Sequence, residues 1–224
     1  MDWLSLAAWG EGWAPTRCIA CGDGRCRDAL AFCRVCCDSV RPQHDAADMV
    51  DGQPLVAAFS YSGAVARAVT AMKFDASPPG WGGALSPWLC ALAARGAEFD
   101  AVVAVAPSAV RLRDRGWHLP DLLASAAAAA TGRPAPLALR RTDHQAARAR
   151  GVHGEPTFCA DAWALGGIRT LLIDDVLTTG TTLAAASRAI DCAGGSVVAY
   201  GVLADARPRV GAARQTQSAH RVTA

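Results

Sequence analysis

The 224 residues carry a formal net charge of +2 and are 52% hydrophobic. This length accommodates one α/β domain of good size together with a small appendage. The hydrophobic content excludes an intrinsically disordered chain, and the near-neutral charge argues against strong sequence-independent binding of nucleic acid.

Residues 1–15 contain three tryptophans among aliphatic residues and predict a short helix that packs on the rest of the protein. The segment lacks the basic region and the long apolar core of a secretory signal. No stretch of the sequence approaches the roughly 18 apolar residues that a membrane helix needs. We therefore expect no membrane segment and a cytoplasmic protein.

Residues 16–41 contain two Cys-x2-Cys pairs, which are separated by 11 residues. Each pair lets two thiolates on a tight turn face one ion, and two such pairs complete a tetrahedral zinc site with no open position. The sequence therefore predicts a small zinc ribbon in which Zn²⁺ is structural and activates no water. The predicted ligands are Cys18, Cys21, Cys33 and Cys36.

Two further cysteines, Cys26 and Cys37, compete for these ligand positions. Cys37 would displace Cys36 only by breaking the two-residue spacing, and neither competitor belongs to a spaced pair of its own. Gly22, directly after the first pair, supplies the flexible turn. A set of reduced free thiols is the alternative to metal binding.

Residues 42–54 are polar and turn-rich and are interpreted as a linker to a domain over residues 55–205. The domain opens with a strand and an amphipathic helix that ends near Lys73, the only lysine of the chain. Lys73 either reaches ligand phosphates or stabilises the C-terminus of its helix, the latter being the simpler role. A second helix is predicted at 84–96.

The next buried strand ends at Pro107 and Ser108, at the start of an arginine-rich loop. Arginine suits bidentate contacts to phosphate, so Arg111 and Arg115 of this loop are candidate ligand-binding residues. A solvated loop has the same composition and is the alternative.

Helices and strands alternate through the rest of the domain, with a helix at 119–132, a weak strand at 136–141, and strands at 168–175 and 196–205. This alternation predicts an α/β fold with a parallel sheet flanked by helices and right-handed crossovers. Ligands of such sheets bind outside the carboxyl ends of the strands. Residues 206–224 lack periodicity and predict a disordered tail.

The most informative stretch is the sequence LLIDDVLTTGTTL. A buried strand ends there in two adjacent carboxylates, Asp174 and Asp175, which suit paired hydrogen bonds from ribose hydroxyls. The loop behind them combines backbone N–H groups, hydroxyls and a helix start, which together form a cradle for phosphate. An ordinary βα turn with a threonine-rich cap leaves the paired acids unexplained. The loop residues are Thr178, Thr179, Gly180, Thr181 and Thr182.

This stretch resembles the phosphoribosyl pyrophosphate (PRPP) motif of type I phosphoribosyltransferases. The resemblance implies a type I phosphoribosyltransferase-like, Rossmann-like sheet. In that family, residues matching Asp174 and Asp175 hold the ribose 2′ and 3′ hydroxyls, and the loop holds the 5′-phosphate. The resemblance also implies that the turn at Pro107 and the arginines after it meet the pyrophosphate, and that Mg²⁺ accompanies the substrate.

The order of the pieces is similar to that in the ComF family of competence and DNA-uptake proteins, which join a four-cysteine ribbon to such a domain. The similarity covers roughly residues 16–205 and includes CIACG…CRVC, YSGAVARAVTAMKF, VVAVAPSAVRLRDRGWH and the PRPP motif. Two departures change the expected polarity of the pocket, because His118 and His153 stand where the family has amides.

Three functions are compatible with these patterns. The first is an enzyme that transfers a phosphoribosyl group from PRPP to an acceptor. The second is a nucleotide-binding module without turnover. The third is a DNA-uptake adaptor that contacts single-stranded DNA or a helicase partner through the ribbon and the tail arginines. The sequence does not identify the acceptor.

Overall fold

The computed structural model describes residues 17–23, 32–43, 48–74, 98–142 and 155–208. Five strands form one sheet in the order β1-β2-β7-β6-β3. The pairs β2–β7, β7–β6 and β6–β3 are parallel, and only the edge strand β1 is antiparallel. The predicted parallel α/β sheet is therefore confirmed. The strands are β1 Asp48–Val50, β2 Gln53–Ser60, β3 Ala101–Ala104, β6 Arg169–Leu177 and β7 Ser196–Asp205.

A separate two-stranded antiparallel ribbon consists of β4 Leu139–Arg141 and β5 Phe158–Ala160. The helices of the described residues are α1 Arg34–Cys37, α2 Gly63–Phe74, α3 Ala109–Arg115, α4 Leu119–Thr131, α5 Ala162–Leu165 and α6 Thr181–Cys192. Within these described residues, no helix has the length and apolar character needed to cross a membrane.

The sheet is buried on both faces, as its continuous apolar strands require. On one face, α2 and α4 pack over the sheet together with the four-cysteine segment. On the other face, α6 and the two-stranded sheet of β4 and β5 cover a second apolar cluster. The interior strand β6 is consequently inaccessible from Thr170 to Ile173, and the Thr170 hydroxyl donates to the Ser196 carbonyl at 3.0 Å.

Two local structures differ from the expectations. The segment interpreted as a linker contains β1, which turns into β2 through Asp51 and Gly52 at φ +50° and +78°. This Asp-Gly pair suits a tight hairpin because both residues adopt positive φ. The segment interpreted as an arginine-rich loop forms the helix α3. The helix at 119–132 is confirmed as α4, which ends at Gly132 with φ +67°.

Some of the sequence-based expectations fall on residues outside the described ranges. These are the N-terminal helix at 1–15, Cys26, the helix at 84–96, His153 and the tail beyond residue 208.

Candidate phosphoribosyl and metal sites

The two adjacent acids lie near the carboxyl end of β6. The backbone N–H of Asp175 donates to Oδ1 of Asp174 at 2.8 Å, which fixes the orientation of the first carboxylate. Burial, and secondly the negative charge of Asp175, raise the pKa of Asp174 to about 7. Two carboxylates at one strand end thus differ in character, since one of them holds a proton part of the time at neutral pH.

Lys73 comes to this pair from the last turn of α2. Its Nζ lies 2.9 Å from Oδ2 of Asp175, with the two side chains 28% and 18% exposed. The ammonium therefore pairs with a carboxylate of the site, a role that neither of the two sequence-based interpretations of Lys73 included. The ammonium compensates the charge of Asp175 in a partly desolvated position. Removal of the ammonium would leave that carboxylate charge uncompensated.

The threonine-rich loop follows β6 directly and leads into α6. Gly180 is the N-cap of α6 in the left-handed region at φ +83°, and the Thr181 N–H donates to Oγ1 of Thr179 at 3.4 Å. Oγ1 of Thr179 and Oγ1 of Thr181 lie 2.9 Å apart, which gathers two hydroxyls at this end. The first N–H groups of a helix have no intrahelical partner, so the loop can accept an anion from the carboxylate side.

The neighbouring strand β3 brings Pro107 and Ser108 to the same edge. Ala104 is paired with Ile173, and the Val105 N–H donates to the Ile173 carbonyl at 2.9 Å. Pro107 and Ser108 follow within three residues and are half-buried. Helix α3 then begins, and the side chains of Arg111 and Arg115 lie outside the described part of the structure.

A third charged group, Arg141 at the end of β4, is a residue that sequence reasoning missed. Its guanidinium lies 5.8 Å from the ring centroid of Phe158, and its positive charge acts with that of Lys73 to lower the pKa of Asp174 against the larger effect of burial. Its only sequence signal was the arginine pair that ends the weak strand. The acids are therefore under the influence of two cations from different elements.

The end of β7 carries a second unforeseen ion pair. Asp205 is 7% exposed and binds the guanidinium of Arg207 through Nη2–Oδ2 at 2.9 Å and Nε–Oδ1 at 3.1 Å. The Ala206 N–H donates to the Leu177 carbonyl at 2.8 Å, which joins this corner to the end of β6, directly before the threonine-rich loop. Arg207, which the sequence placed in the tail, is thus held at the sheet edge.

His118 precedes α4 and lies close to Asp121. Its Nδ1 is 3.2 Å from Oδ2 of Asp121, but the alignment is not that of a hydrogen bond, and this buried nitrogen has no hydrogen-bond partner among the described residues. The structure does not connect His118 to the carboxylate pair.

The four predicted cysteine ligands come together. The sulfur atoms of Cys18, Cys21, Cys33 and Cys36 all lie within 4.8 Å of one another, and those of Cys21 and Cys33 are 3.9 Å apart. A tetrahedral Zn²⁺ with Zn–S bonds of about 2.3 Å requires sulfur separations of about 3.8 Å, so the donor set fits this ion. Cys37 is not part of the cluster, which supports the choice of the two-residue spacing.

Tight turns on both sides of the cluster aim the sulfur atoms inward. The Gly22 N–H donates to the Cys18 carbonyl at 2.8 Å with Gly22 at φ +75°, as expected for a glycine after the first pair. The Cys37 N–H donates to the Cys33 carbonyl at 2.9 Å, which closes the first turn of α1.

The cluster mixes acidic and weakly acidic thiols. Burial raises the pKa of the Cys36 thiol to about 12. Burial also opposes ionisation of Cys18, but hydrogen bonds from the backbone of Cys33 and Ala20 prevail and lower its pKa to about 6. A cation that binds all four sulfur atoms would therefore displace protons, which makes its affinity dependent on pH.

No protein-family model and no curated protein matches the chain. Several solved structures are similar to part of it. The glutamine PRPP amidotransferase from B. subtilis, solved with ADP and GMP, is 26% identical with a TM-score of 0.35, over 50% of this chain and 24% of that one. The adenine phosphoribosyltransferase from Thermoanaerobacter pseudethanolicus is 22% identical with a TM-score of 0.37, over 54% of this chain and 66% of that one.

A second adenine phosphoribosyltransferase, from Leishmania donovani, is 14% identical with a TM-score of 0.38, over 57% of this chain and 66% of that one. The chain thus spans about a quarter of the amidotransferase and just under two thirds of the two adenine enzymes. Because every one of these TM-scores lies below 0.5, we infer function from the geometry of the site itself.

Proposed function

We propose that the protein binds PRPP with Mg²⁺, or a related ribose 5-phosphate nucleotide, at the carboxyl edge of the sheet and transfers the phosphoribosyl group to an acceptor. The observation that carries this proposal is one continuous arrangement. Asp174 and Asp175 lie near the carboxyl end of the buried strand β6, and the threonine-rich loop that follows β6 leads into the N-terminus of α6. Carboxylates and an anion cradle at this spacing match a phosphorylated sugar.

Each end of the sugar phosphate has a complementary group. Residues 178–182 would hold the 5′-phosphate through backbone N–H groups and hydroxyls. Asp174 and Asp175 would accept hydrogen bonds from the ribose 2′ and 3′ hydroxyls, since an ionised carboxylate has acceptor oxygens only. The proton on Asp174 must leave for both of its oxygens to accept.

Transfer requires the acceptor to attack the anomeric carbon while the bond from that carbon to pyrophosphate breaks. Positive charge builds on the ribose ring in this step, and negative charge builds on the leaving pyrophosphate. Mg²⁺, when bound with the substrate, supplies neutralising charge to the pyrophosphate oxygens. The turn at Pro107 and Ser108, the arginines Arg111 and Arg115, and the cation Lys73 are the groups that we assign to the pyrophosphate.

We further propose that the four cysteines hold a structural Zn²⁺. Four sulfur donors leave no position open for water or substrate, so the ion would contribute to folding and not to the reaction. The cysteines of the described residues form no disulfide. We also propose a cytoplasmic location, where a reducing environment would keep the four thiols available to the ion.

We also propose a more specific cellular role, a ComF-like function in DNA uptake. It is supported by the occurrence of the four-cysteine cluster and the PRPP-like motif in one chain, in that order. Arg207, one of the arginines considered for DNA contacts, is engaged by Asp205. Affinity for single-stranded DNA that falls steeply with salt would favour an adaptor role, and no binding at low salt would exclude it.

Pyrophosphate release tests the transfer reaction. The full chain is incubated with PRPP, Mg²⁺ and a panel of purine, pyrimidine and amine acceptors, and released pyrophosphate is measured for each. Release that depends on one acceptor class and is lost in Asp175→Asn supports transfer. PRPP binding without release for any acceptor would instead support the non-catalytic nucleotide-binding module.

A further inference from the structure

Helix α2 connects the four-cysteine site to the carboxylate pair. It begins against the cysteine segment at Ser39 and ends beside Asp175 of β6. The beginning of this helix contacts a residue that also binds the cysteine segment, its middle contacts a cysteine of the cluster, and its end contacts the carboxylate pair.

The beginning of α2 is held by Ser39, which follows α1. The Ser39 hydroxyl donates to the Cys36 carbonyl at 2.8 Å and accepts from the Ala64 N–H at 3.0 Å. The same hydroxyl therefore stabilises the turn that carries a cysteine ligand and satisfies an N–H in the first turn of α2. Gly63 lies at φ +53°, and a Cβ there would approach Ser39 to 2.9 Å.

The middle of α2 contacts the cysteine cluster itself. Nη2 of Arg67 lies 3.6 Å from Sγ of Cys36, close enough to donate to the thiolate. A donor to a ligand sulfur orients that ligand and balances the negative charge of a four-thiolate site, as outer contacts of metal ligands generally do.

The end of α2 contacts the candidate substrate site through the Lys73–Asp175 pair at 2.9 Å. Six residues separate Arg67 from Lys73, about 9 Å along the helix axis. The face between them is buried at Ala68, Val69 and Met72, which leaves the helix little freedom to move at one end alone. A packed helix has discrete positions and transmits a shift at one end to the other.

We infer that α2 couples the two sites, and that the placement of Lys73 on Asp175 depends on the four-cysteine site being filled. This inference rests on the proposed PRPP site. Loss of the metal would release Arg67 and the Ser39 cap, and the ammonium would no longer compensate Asp175. An anionic substrate would then meet Asp175 without its ammonium and bind more weakly.

Coupling between binding sites is reciprocal, so PRPP must also strengthen metal retention. The test measures the equilibrium partition of zinc between the full chain and a competing chromogenic chelator, with and without PRPP and Mg²⁺. We expect saturating PRPP with Mg²⁺ to tighten zinc binding by about fivefold or more, the lower end of typical couplings. An Asp174→Asn, Asp175→Asn variant controls for chelation of zinc by PRPP itself.

Arg67→Met and Lys73→Met are the variants that break the link. Arg67 is exposed and Lys73 is partly exposed, so both chains should fold, and calorimetry must show that each still binds PRPP. In both variants we expect saturating PRPP to leave the zinc affinity unchanged. Arg188→Met is the matched control, because Arg188 is an exposed arginine of α6 paired with Glu155, and it should retain the wild-type response.

Failure of the inference and failure of the proposed function give different results. If the wild type binds PRPP but its zinc affinity is the same with and without PRPP, the coupling is refuted and the PRPP site stands. If the wild type binds no PRPP, the proposed function fails. Hydrogen exchange then tests whether α2 responds to the metal, independently of PRPP. Zinc removal should lower the protection of the α2 amides and leave that of the α6 amides unchanged. Unchanged protection of α2 would overturn the inferred coupling.

Discussion

The four-cysteine site and the carboxylate site differ in their composition and in their openness to a ligand. The four sulfur atoms lie within 4.8 Å of one another and form a closed set of like donors around a single point. The carboxylate site instead mixes two acids, two cations and an open helix start, and one of its acids has a pKa near 7. A closed set suits an ion that stays, and an open, unevenly charged edge suits a ligand that must enter and leave.

The largest expected effect tests the closed site. Cys36→Ser removes a buried ligand next to Arg67, and we expect loss of zinc and destabilisation by several kcal/mol, since structural zinc binding is coupled to folding. Metal analysis and thermal unfolding measure both. Cys192→Ser, at an exposed cysteine outside the cluster, is the control and should change neither. Unchanged melting of a metal-free Cys36→Ser protein would show that the cluster is not a structural metal site.

The next effect tests the charge balance of the open site. Lys73→Met leaves Asp175 without its ammonium, and we expect PRPP affinity to fall by about tenfold, corresponding to roughly 1–2 kcal/mol for a partly buried pair. Lys73→Arg keeps the charge and should recover part of the affinity. Equal affinities for Lys73→Met and the wild type would mean that the pair plays no part in binding.

A backbone substitution tests the phosphate loop. Gly180→Ala places a side chain at φ +83°, where we expect a destabilisation of about 1 kcal/mol and a clear loss of PRPP affinity as the loop changes shape. Gly132→Ala is the matched control, because Gly132 has φ +67°, open space around it and a place at the far end of α4. The control should show similar destabilisation with unchanged affinity; a parallel loss in both variants would assign the effect to stability alone.

The smallest effect is a pH dependence that comes from Asp174. Because ribose hydroxyls donate to the ionised carboxylate, PRPP affinity should rise between pH 6 and pH 8 as a group of pKa about 7 loses its proton, by less than about tenfold. The phosphates titrate in a similar range, so Asp174→Asn provides the baseline. The same slope in both proteins would remove Asp174 from the explanation.

The free energy of unfolding should fall as the pH rises and Asp174 loses its proton, whereas the PRPP affinity should rise. The folded-state pKa of Asp174 is raised from 3.8 to about 7, so the folded state binds more protons than the unfolded state between these values. The contribution of this group is fully present below pH 3.8 and is lost as the pH rises through 7. Asp174→Asn should therefore gain stability relative to the wild type at pH 8 but not at pH 4, as measured by denaturant unfolding.

Patterns that are contiguous in the sequence were predicted from it. The strand, acids, glycine and helix around residues 171–192 obey local rules of burial and φ, and the two cysteine pairs obey a fixed ligand spacing. The sequence also supported the alternation that predicts a parallel sheet. The order of the strands, with β7 between β2 and β6, follows only from packing.

Contacts between distant segments were not predicted. Lys73 and Asp175 lie on different elements, and nothing local distinguishes a lysine that caps its helix from one that reaches a neighbouring strand. The Ser39 contact to α2 and the effect of Arg141 on Asp174 were missed for the same reason, because each joins segments that are far apart in the sequence. The segment after Ser108 was interpreted as an arginine-rich loop, although its residues are compatible with the helix α3 that they form.

Calorimetry of PRPP binding in the presence of Mg²⁺ tests the central claim most directly. The wild-type chain is compared with the Asp174→Asn, Asp175→Asn variant, after circular dichroism and metal analysis show that both are folded and contain equal zinc. The account predicts saturable one-site binding to the wild type and a loss of at least about a hundredfold in the variant, because each carboxylate would lose charge-assisted hydrogen bonds. Folded wild-type protein that binds no PRPP, or a variant that binds it equally well, would contradict the account.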